Sequence, residues 1–272
     1  MKLKIKLAAA ALLLMASFNS QAQISIARDT IKIKALEEKE KKEKKKFNSQ
    51  LTMDLGWNML IDNTNYNSPE VANYLHVSAD KRNSALLGLR QNKSINANIN
   101  WLYTFKAVRK EGQKVLIASG LGLQLYNFRF DNNITFAKGS GGVSIDTLSF
   151  TKNKLAFDYL NVPLLITSKT RIYNNKENHK KDRWLVYGVG ASAGYSLSTW
   201  TKQISGQKGK VKVHDAFEFN PFNACVSAEI GIEDVLRFYV NYQVTNIFKE
   251  SGSNVSGMEM HPLSFGFKLS GI

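Results

Sequence analysis

The chain predicts an all-β protein, an eight-stranded antiparallel up-and-down transmembrane β-barrel with long outer loops and short periplasmic turns. Three observations predict it. Eight stretches alternate apolar and polar residues with a period of two, which is the pattern of a strand. Their polar faces read Asn, Ser, Gly, Thr and Gln although 22% of the chain is charged, and the Lys and Glu crowd into the connections. Long connections follow the first, third, fifth and seventh strands, while those after the second and sixth are short. A water-soluble barrel would carry Lys and Glu on its wet outer face. A transmembrane barrel turns apolar side chains to lipid and small uncharged ones to a cramped lumen.

The N-terminus sets the compartment. Lys2, Lys4 and Lys6 precede an apolar run, Leu7 to Met15, that is too short to cross a bilayer as a helix. Ser20 and Ala22 suit a small-residue cleavage site, so residues 1–22 read as a signal peptide and Gln23 as the mature start. The alternative is a buried N-terminal helix. No Cys follows the run to take a lipid anchor. No other stretch approaches about 18 consecutive apolar residues, so a membrane-spanning mature chain has to close as a barrel. Residues 23–47 form a charged segment in which Ala35 to Lys46 reads ALEEKEKKEKKK. With almost no apolar face it reads as a periplasmic tether, or else as a helix that docks on a periplasmic or envelope protein partner. Residues 48–272 form the barrel.

The strands follow in order. The first, 48–61, sets Leu51, Met53, Leu55, Trp57 and Met59 against Thr52, Asp54, Gly56 and Asn58. The second, 90–106, sets Ile95, Ala97, Ile99, Trp101, Tyr103 and Phe105 against Asn96, Asn98 and Asn100, and ends in a basic turn at 108–113. In the third, 114–131, Ile117, Leu121, Leu123 and Leu125 alternate with Gly120, Gly122 and Gln124. Tyr126, Phe128 and Phe130 then switch parity, which predicts a bulge or an extension above the membrane. A Gly- and Asn-rich connection covers 132–152. The fourth, 153–168, carries Leu160, Val162, Leu164 and Ile166 outward, and Pro163, which lacks a donor, predicts a ladder defect. The fifth, 183–198, opposes Tyr187, Val189, Ala191, Ala193, Tyr195 and Leu197 to a row of Gly and Ser. A polar connection at 199–215 leads to the sixth strand, 216–231. The seventh, 236–248, and the eighth, 260–270, complete an even count with both ends on one side. Aromatic residues near strand ends, among them Tyr103, Phe105, Trp184, Tyr187 and Trp200, suit interfacial girdles.

From the third strand onward the chain resembles the PorT-like outer-membrane β-barrel family of Bacteroidota. The likeness lies in Ser119-Gly120-Leu121-Gly122-Leu123 with Tyr126 and Phe128, in Tyr159-Leu160-Asn161-Val162-Pro163-Leu164, and in Phe219-Asn220-Pro221-Phe222. It continues in Tyr242-Gln243-Val244-Thr245-Asn246-Ile247-Phe248 and Pro262-Leu263-Ser264-Phe265-Gly266. These are barrel-building motifs. The resemblance implies an outer-membrane barrel, in a family with a component linked to type IX secretion. The chain departs from the common aromatic terminus of such barrels by ending Ser270-Gly271-Ile272.

The net charge of +15 is uneven. Residues 24–47 hold nine Lys and Arg against five Asp and Glu, and residues 168–183 hold six against two. In the predicted topology these segments share the periplasmic side. A basic balance of this size also occurs in nucleic-acid binders, but the leader and the strand pattern point to outer-membrane lipid as the partner and not to nucleic acid.

An eight-stranded barrel is filled by its own side chains, so inward charges need partners. Glu229 and Arg237 flank the tight turn near residue 233, and simple hairpin register places them directly opposite. Asp54 and Lys268 face inward at neighbouring heights, and the four predict a lumen charge network that either fills the barrel or gates it. Cys225, the single cysteine, falls on the lumen face as a quiet thiol. His76, His214 and His261 belong to the outer rim without metal-ligand spacing. No HExxH, P-loop, GxSxG or paired-Cys motif occurs, so no catalytic residue, cofactor or metal is expected. The reading is a non-enzymatic barrel in the outer membrane of a Gram-negative bacterium, serving as an assembly or partner-docking component. The alternatives are a rim hydrolase or acyltransferase built from His214, Asp215, Glu259 and His261, a small-solute pore, and a soluble lipocalin-like carrier.

Overall fold

In the computed structural model the described residues are 47–272, apart from 140, 174–182, 251–255 and 271–272. The leader and nearly all of the charged segment lie outside them. In chain order the strands are β1 (Phe47–Asp62), β2 (Leu75–His76), β3 (Ile95–Lys110), β4 (Gln113–Arg129), β5 (Ile134–Phe136) and β6 (Val143–Ile145). They continue with β7 (Phe150–Tyr173), β8 (Arg183–Ser205), β9 (Gly209–His214), β10 (Phe222–Ile232), β11 (Leu236–Gln243) and β12 (Met260–Ser270). Among the described residues a short α-helix, α1 (Pro69–Tyr74), is capped by Ser68, whose hydroxyl accepts from the Val71 N–H.

Eight strands close a ring in the order β1, β3, β4, β7, β8, β10, β11, β12 and back to β1. All neighbours are antiparallel. This is the predicted fold class. The outward residues are the β-branched, leucine and aromatic positions of the alternating pattern, and water is a poor solvent for them. Val189 and Phe222 are each 62% exposed, and Leu55, Ile99, Leu164 and Val226 join them around the ring. The inward row is the reverse, with Asn58, Asn98, Gln124, Asn241 and Ser264 buried. Apolar outside and polar inside is the arrangement lipid demands, and the chain is an outer-membrane β-barrel.

Several boundaries move for physical reasons. β3 starts at Ile95 because Gln91–Lys93 forms a 3-10 turn first. The basic turn expected at 108–113 tightens to Glu111 and Gly112, with Gly112 at φ 76°, and a bulge between Lys106 and Val108 absorbs the difference. The connection expected at 199–215 instead extends β8 and pairs it with β9. β10 begins only at Phe222, since Phe217 and Glu218 hold positive φ of 48° and 61° and turn the chain inward. β11 ends at Gln243, before Ile247 and Phe248 leave the wall to join a buried cluster.

No bulge accompanies the aromatic parity switch in β4. Its register with β3 and β7 runs unbroken in phase from Gly122 to Asn127. Gly122, Gln124, Tyr126 and Phe128 share one inward row, so the environment changes and the backbone does not. At Pro163 the β4–β7 pairing lapses between Ser119–Leu164 and Gly122–Asn161 without a register shift, the defect expected of a residue with no N–H.

The outer connections fold into a cap. β2, β6 and β5 make a small three-stranded sheet. With α1 and the segments around Phe217 and Phe248 they bury an apolar cluster against the upper ends of β4 and β7. The main apolar core therefore sits above the lipid belt, at the mouth of the barrel.

Candidate functional site

The lumen is built in layers. Toward the periplasmic end, Arg237 Nη1 lies 3.2 Å from Glu229 Oε1 and Lys268 Nζ lies 2.7 Å from Glu229 Oε2. Lys268 also stands 3.9 Å from Asp54 Oδ1, and Asp54 Oδ2 accepts from Asn98 Nδ2 at 3.4 Å. The structure thus brings Asp54, Glu229, Arg237 and Lys268 together, all buried. Two acids face two bases, so the layer is neutral when all four ionise. The direct opposition of Glu229 and Arg237 does not occur. Tyr239 faces Glu229, Gly231 faces Arg237, and the ion pair runs diagonally. A three-residue turn at 233–235, with Asp234 at φ 60°, moves the residue opposite Arg237 from Glu229 to Gly231, two positions along β10.

Above this layer a hydrogen-bonded stack continues. Tyr239 donates to Asn96 Oδ1 at 2.7 Å, and Asn96 donates to Asn98 Oδ1 at 3.1 Å. Asn223 donates to Gln124 Oε1 at 3.0 Å, while Gln124 and Asn241 donate to the Tyr126 hydroxyl at 2.8 and 3.3 Å. Cys225 is buried within the same layer. A cavity of about 50 Å³ lies against Asp54, Gln124, Glu229 and Lys268, and a second of about 30 Å³ lies against Thr52, Glu229, Arg237 and Lys268. Glu229 and Lys268 line both, so the charged layer separates them. Each has room for a few waters. The inward glycines explain the tightness, since a Cβ at Gly122 would lie 2.2 Å from Asn100 Oδ1 and from Asn161 Oδ1.

Tyr126 joins the two halves. Its hydroxyl belongs to the polar stack, and its ring packs on Phe128 at 5.7 Å and Tyr159 at 6.2 Å. From there the aromatic cap continues through Phe157 to Phe219 at 4.9 Å, and Phe219 to Phe248 at 4.9 Å. The sequence places these cap residues inside its third, fourth, sixth and seventh strands, with Phe217 and Phe219 at the start of the sixth and Ile247 and Phe248 at the end of the seventh. A period-two pattern does not show that such strand ends leave the wall and converge.

The rim residues do not gather. His214 Nδ1 shares a hydrogen bond with the Ser198 hydroxyl at 3.2 Å. Asp215 Oδ2 accepts from the Gly139 N–H at 2.9 Å and Oδ1 from the Ala216 N–H at 2.6 Å. Partial burial pushes the Asp215 carboxyl up, but those N–H groups, with that of Phe217 and the nearby Lys138, outweigh it and hold its pKa below the usual carboxylate value. His261 Nε2 stands 3.6 Å from Glu259 Oε1. Tyr66 donates to Asp62 Oδ2 at 2.6 Å, and burial followed by that carboxylate raises its pKa. Among the described residues no three His, Cys, Asp or Glu side chains group as metal ligands.

No protein-family model matches this chain, and no curated protein matches it. Among solved structures the chain is similar to Ail, the attachment invasion locus protein of Yersinia pestis. The TM-score is 0.26 at 9% identity, covering 82% of this chain and 99% of Ail. The closed ring and its apolar belt, read from this chain itself, carry the fold assignment.

Proposed function

We propose that this protein is a non-enzymatic barrel of the Gram-negative outer membrane that serves as an assembly or partner-docking component, of the kind the PorT-like resemblance suggests. The observation that carries the reading is the double occlusion of the lumen. A neutral, hydrogen-bonded charge layer crosses it between two small cavities, and an aromatic cap covers its mouth. Such a barrel is suited to work through its surfaces and its appended segment rather than by conduction. The separate engagements of His214, Asp215 and His261 favour this reading over a rim hydrolase. Residues 24–47, which lead into β1 in sequence, are the proposed docking element.

The test is a mild-detergent pull-down from native outer membranes, with an affinity tag inserted at Gly206 in the exposed β8–β9 turn, where an added Cβ meets nothing within 4 Å. A stoichiometric partner that disappears on deletion of residues 24–47 is the expected result. Recovery of the barrel alone from both chains would sink the docking role.

A further inference from the structure

A row of cations crosses four adjacent strands on the outer face. Register sets Arg129 of β4 opposite Lys154 of β7. Lys154 stands opposite Lys202 of β8, and Lys202 opposite Lys212 of β9. A second row pairs Lys152 and Lys210 across Ile204. Lys152 and Lys210 lie two residues from Lys154 and Lys212, so the pleat puts all of them on one face. That face points away from the cap, since the alternate residues Leu155 and Thr201 are buried inward.

Neighbouring strands lie about 4.8 Å apart, so four side-chain charges start within roughly 15 Å of one another. Like charges directly opposite destabilise a sheet. Among the described residues none of the five lysines has a carboxylate within 4.0 Å. What holds them is neutral. Lys154 Nζ donates to Asn127 Oδ1 at 2.6 Å, and Lys154 and Lys212 sit over the Trp200 ring at 4.2 and 4.1 Å. Asp158, four residues from Lys154 on β7, accepts from the Trp200 indole N–H at 3.1 Å, and Asp131, two residues from Arg129, is paired with Arg90 at 3.0 Å. The sheet therefore carries an uncompensated positive row in a fixed geometry.

Its position says where the compensation comes from. Leu125, Leu160 and Leu197 are the last large aliphatic outward residues of β4, β7 and β8 before the row. Arg129 is four residues beyond Leu125, roughly 13 Å along the strand and about 10 Å in height once the tilt is counted. Trp200 marks the interface at the foot of the row. Lysine stems are long enough to carry their charges back toward the membrane surface. The anions presented at that depth are those of the outer leaflet itself.

We propose that the Arg129–Lys154–Lys202–Lys212 row binds the phosphate groups of a phosphorylated glycolipid in the outer leaflet. Several lysines offer point charges that suit phosphate without demanding one bidentate pose, and the Trp200 ring packs beside the sugar and acyl portion. The inference rests on the outer-membrane reading only for the side on which the row lies.

The experiment uses the full mature chain in phosphatidylcholine vesicles, with and without diphosphoryl lipid A as the probe, and follows the thermal unfolding midpoint. The expected result is a rise of several degrees that shrinks as salt shortens the Debye length. K154Q/K202Q/K212Q should lose most of that rise. An equal rise in the variant, a salt-insensitive rise, or an equal rise with dephosphorylated lipid A or with inorganic phosphate would each overturn the proposal. Should the triple variant fail to fold, the salt, dephosphorylated-lipid and inorganic-phosphate arms on the unaltered protein still decide. Separately, G206C should react with an impermeant maleimide on intact cells. Absence of labelling would overturn the orientation, and with it the choice of leaflet, whatever the lipid result.

Discussion

Arg237 reaches Glu229 at 3.2 Å along a diagonal of the β10–β11 ladder, while the residue that faces Arg237 is Gly231. The glycine suits that place, because a Cβ at 231 would lie 2.5 Å from the Arg237 Cα and 2.3 Å from the Leu236 carbonyl oxygen. Glu229 then has both oxygens engaged, one by Arg237 and one by Lys268, whose ammonium also approaches Asp54. Three strands, β1, β10 and β12, and their neighbour β11 are thereby tied at one height. A buried network of this kind is weak support for net stability, but removing one member strands the rest.

Arg237→Gln leaves Glu229 with Lys268 as its cation and the Thr167 hydroxyl as a neutral donor at 3.5 Å. Breaking a buried pair generally costs about 3–5 kcal/mol, and the retained Lys268 bond places this variant at or below the lower end. Urea unfolding in detergent, followed by heat-modifiable migration, measures it. A double-mutant cycle with Glu229→Gln should return a coupling above about 0.5 kcal/mol. A coupling of zero would contradict the pairing.

Gly56→Ala tests the narrowness of the lumen. Its Cβ would lie 2.1 Å from the Phe265 carbonyl oxygen and 2.7 Å from the Tyr239 hydroxyl. A backbone oxygen held in a ladder cannot withdraw as a flexible side chain can. Overpacking of this kind costs about 1–3 kcal/mol. Gly190→Ala meets first the Leu165 Cδ2, a side-chain end that can rotate, and should cost less. Equal losses in paired unfolding curves would refute the steric ranking.

Phe219→Ala should loosen the cap and leave the wall standing. Phe219 is buried and contacts the rings of Phe136, Phe157, Phe217 and Phe248. A buried Phe→Ala change costs about 3–5 kcal/mol, and here the loss falls on a unit distinct from the ring and shows as local opening. Limited proteolysis should cut the outer connections faster while the barrel keeps its heat-modifiable migration. Unchanged loop protection would remove the cap from its assigned place.

Asp215 makes the cap pH-sensitive. Its carboxyl is held below the usual value by the Gly139 and Ala216 N–H groups. A depressed carboxylate contributes stability that is present above the unfolded pKa of about 3.9 and is lost as pH falls through the folded value. Loop protection in the unaltered chain should therefore weaken below about pH 4. Asp215→Ala should already be weakened at neutral pH and change little on acidification. Parallel pH profiles for the two chains would contradict the clamp.

The period-two pattern by itself determined the ring, its strand count and the direction in which each face points. Lipid outside and a narrow polar lumen inside leave a strand two faces, and each residue declares its face by its own solubility. The same parity put Asp54, Glu229, Arg237 and Lys268 inside. Tertiary structure alone decided which of them meet, because pairing depends on register, and a three-residue turn at 233–235 moved Arg237 opposite Gly231. It also decided the cap. Tyr126 and Phe128 continue the inward row of Gly122 and Gln124 without a bulge, and their aromatic character makes sense only once Phe157 and Phe219 lie across the mouth. Phe157 comes from β7 and Phe219 from the segment ahead of β10, far from Tyr126 in sequence. Their burial arises from long-range contacts that no local periodicity encodes, and the cationic row from Arg129 to Lys212 likewise exists only where four strands align.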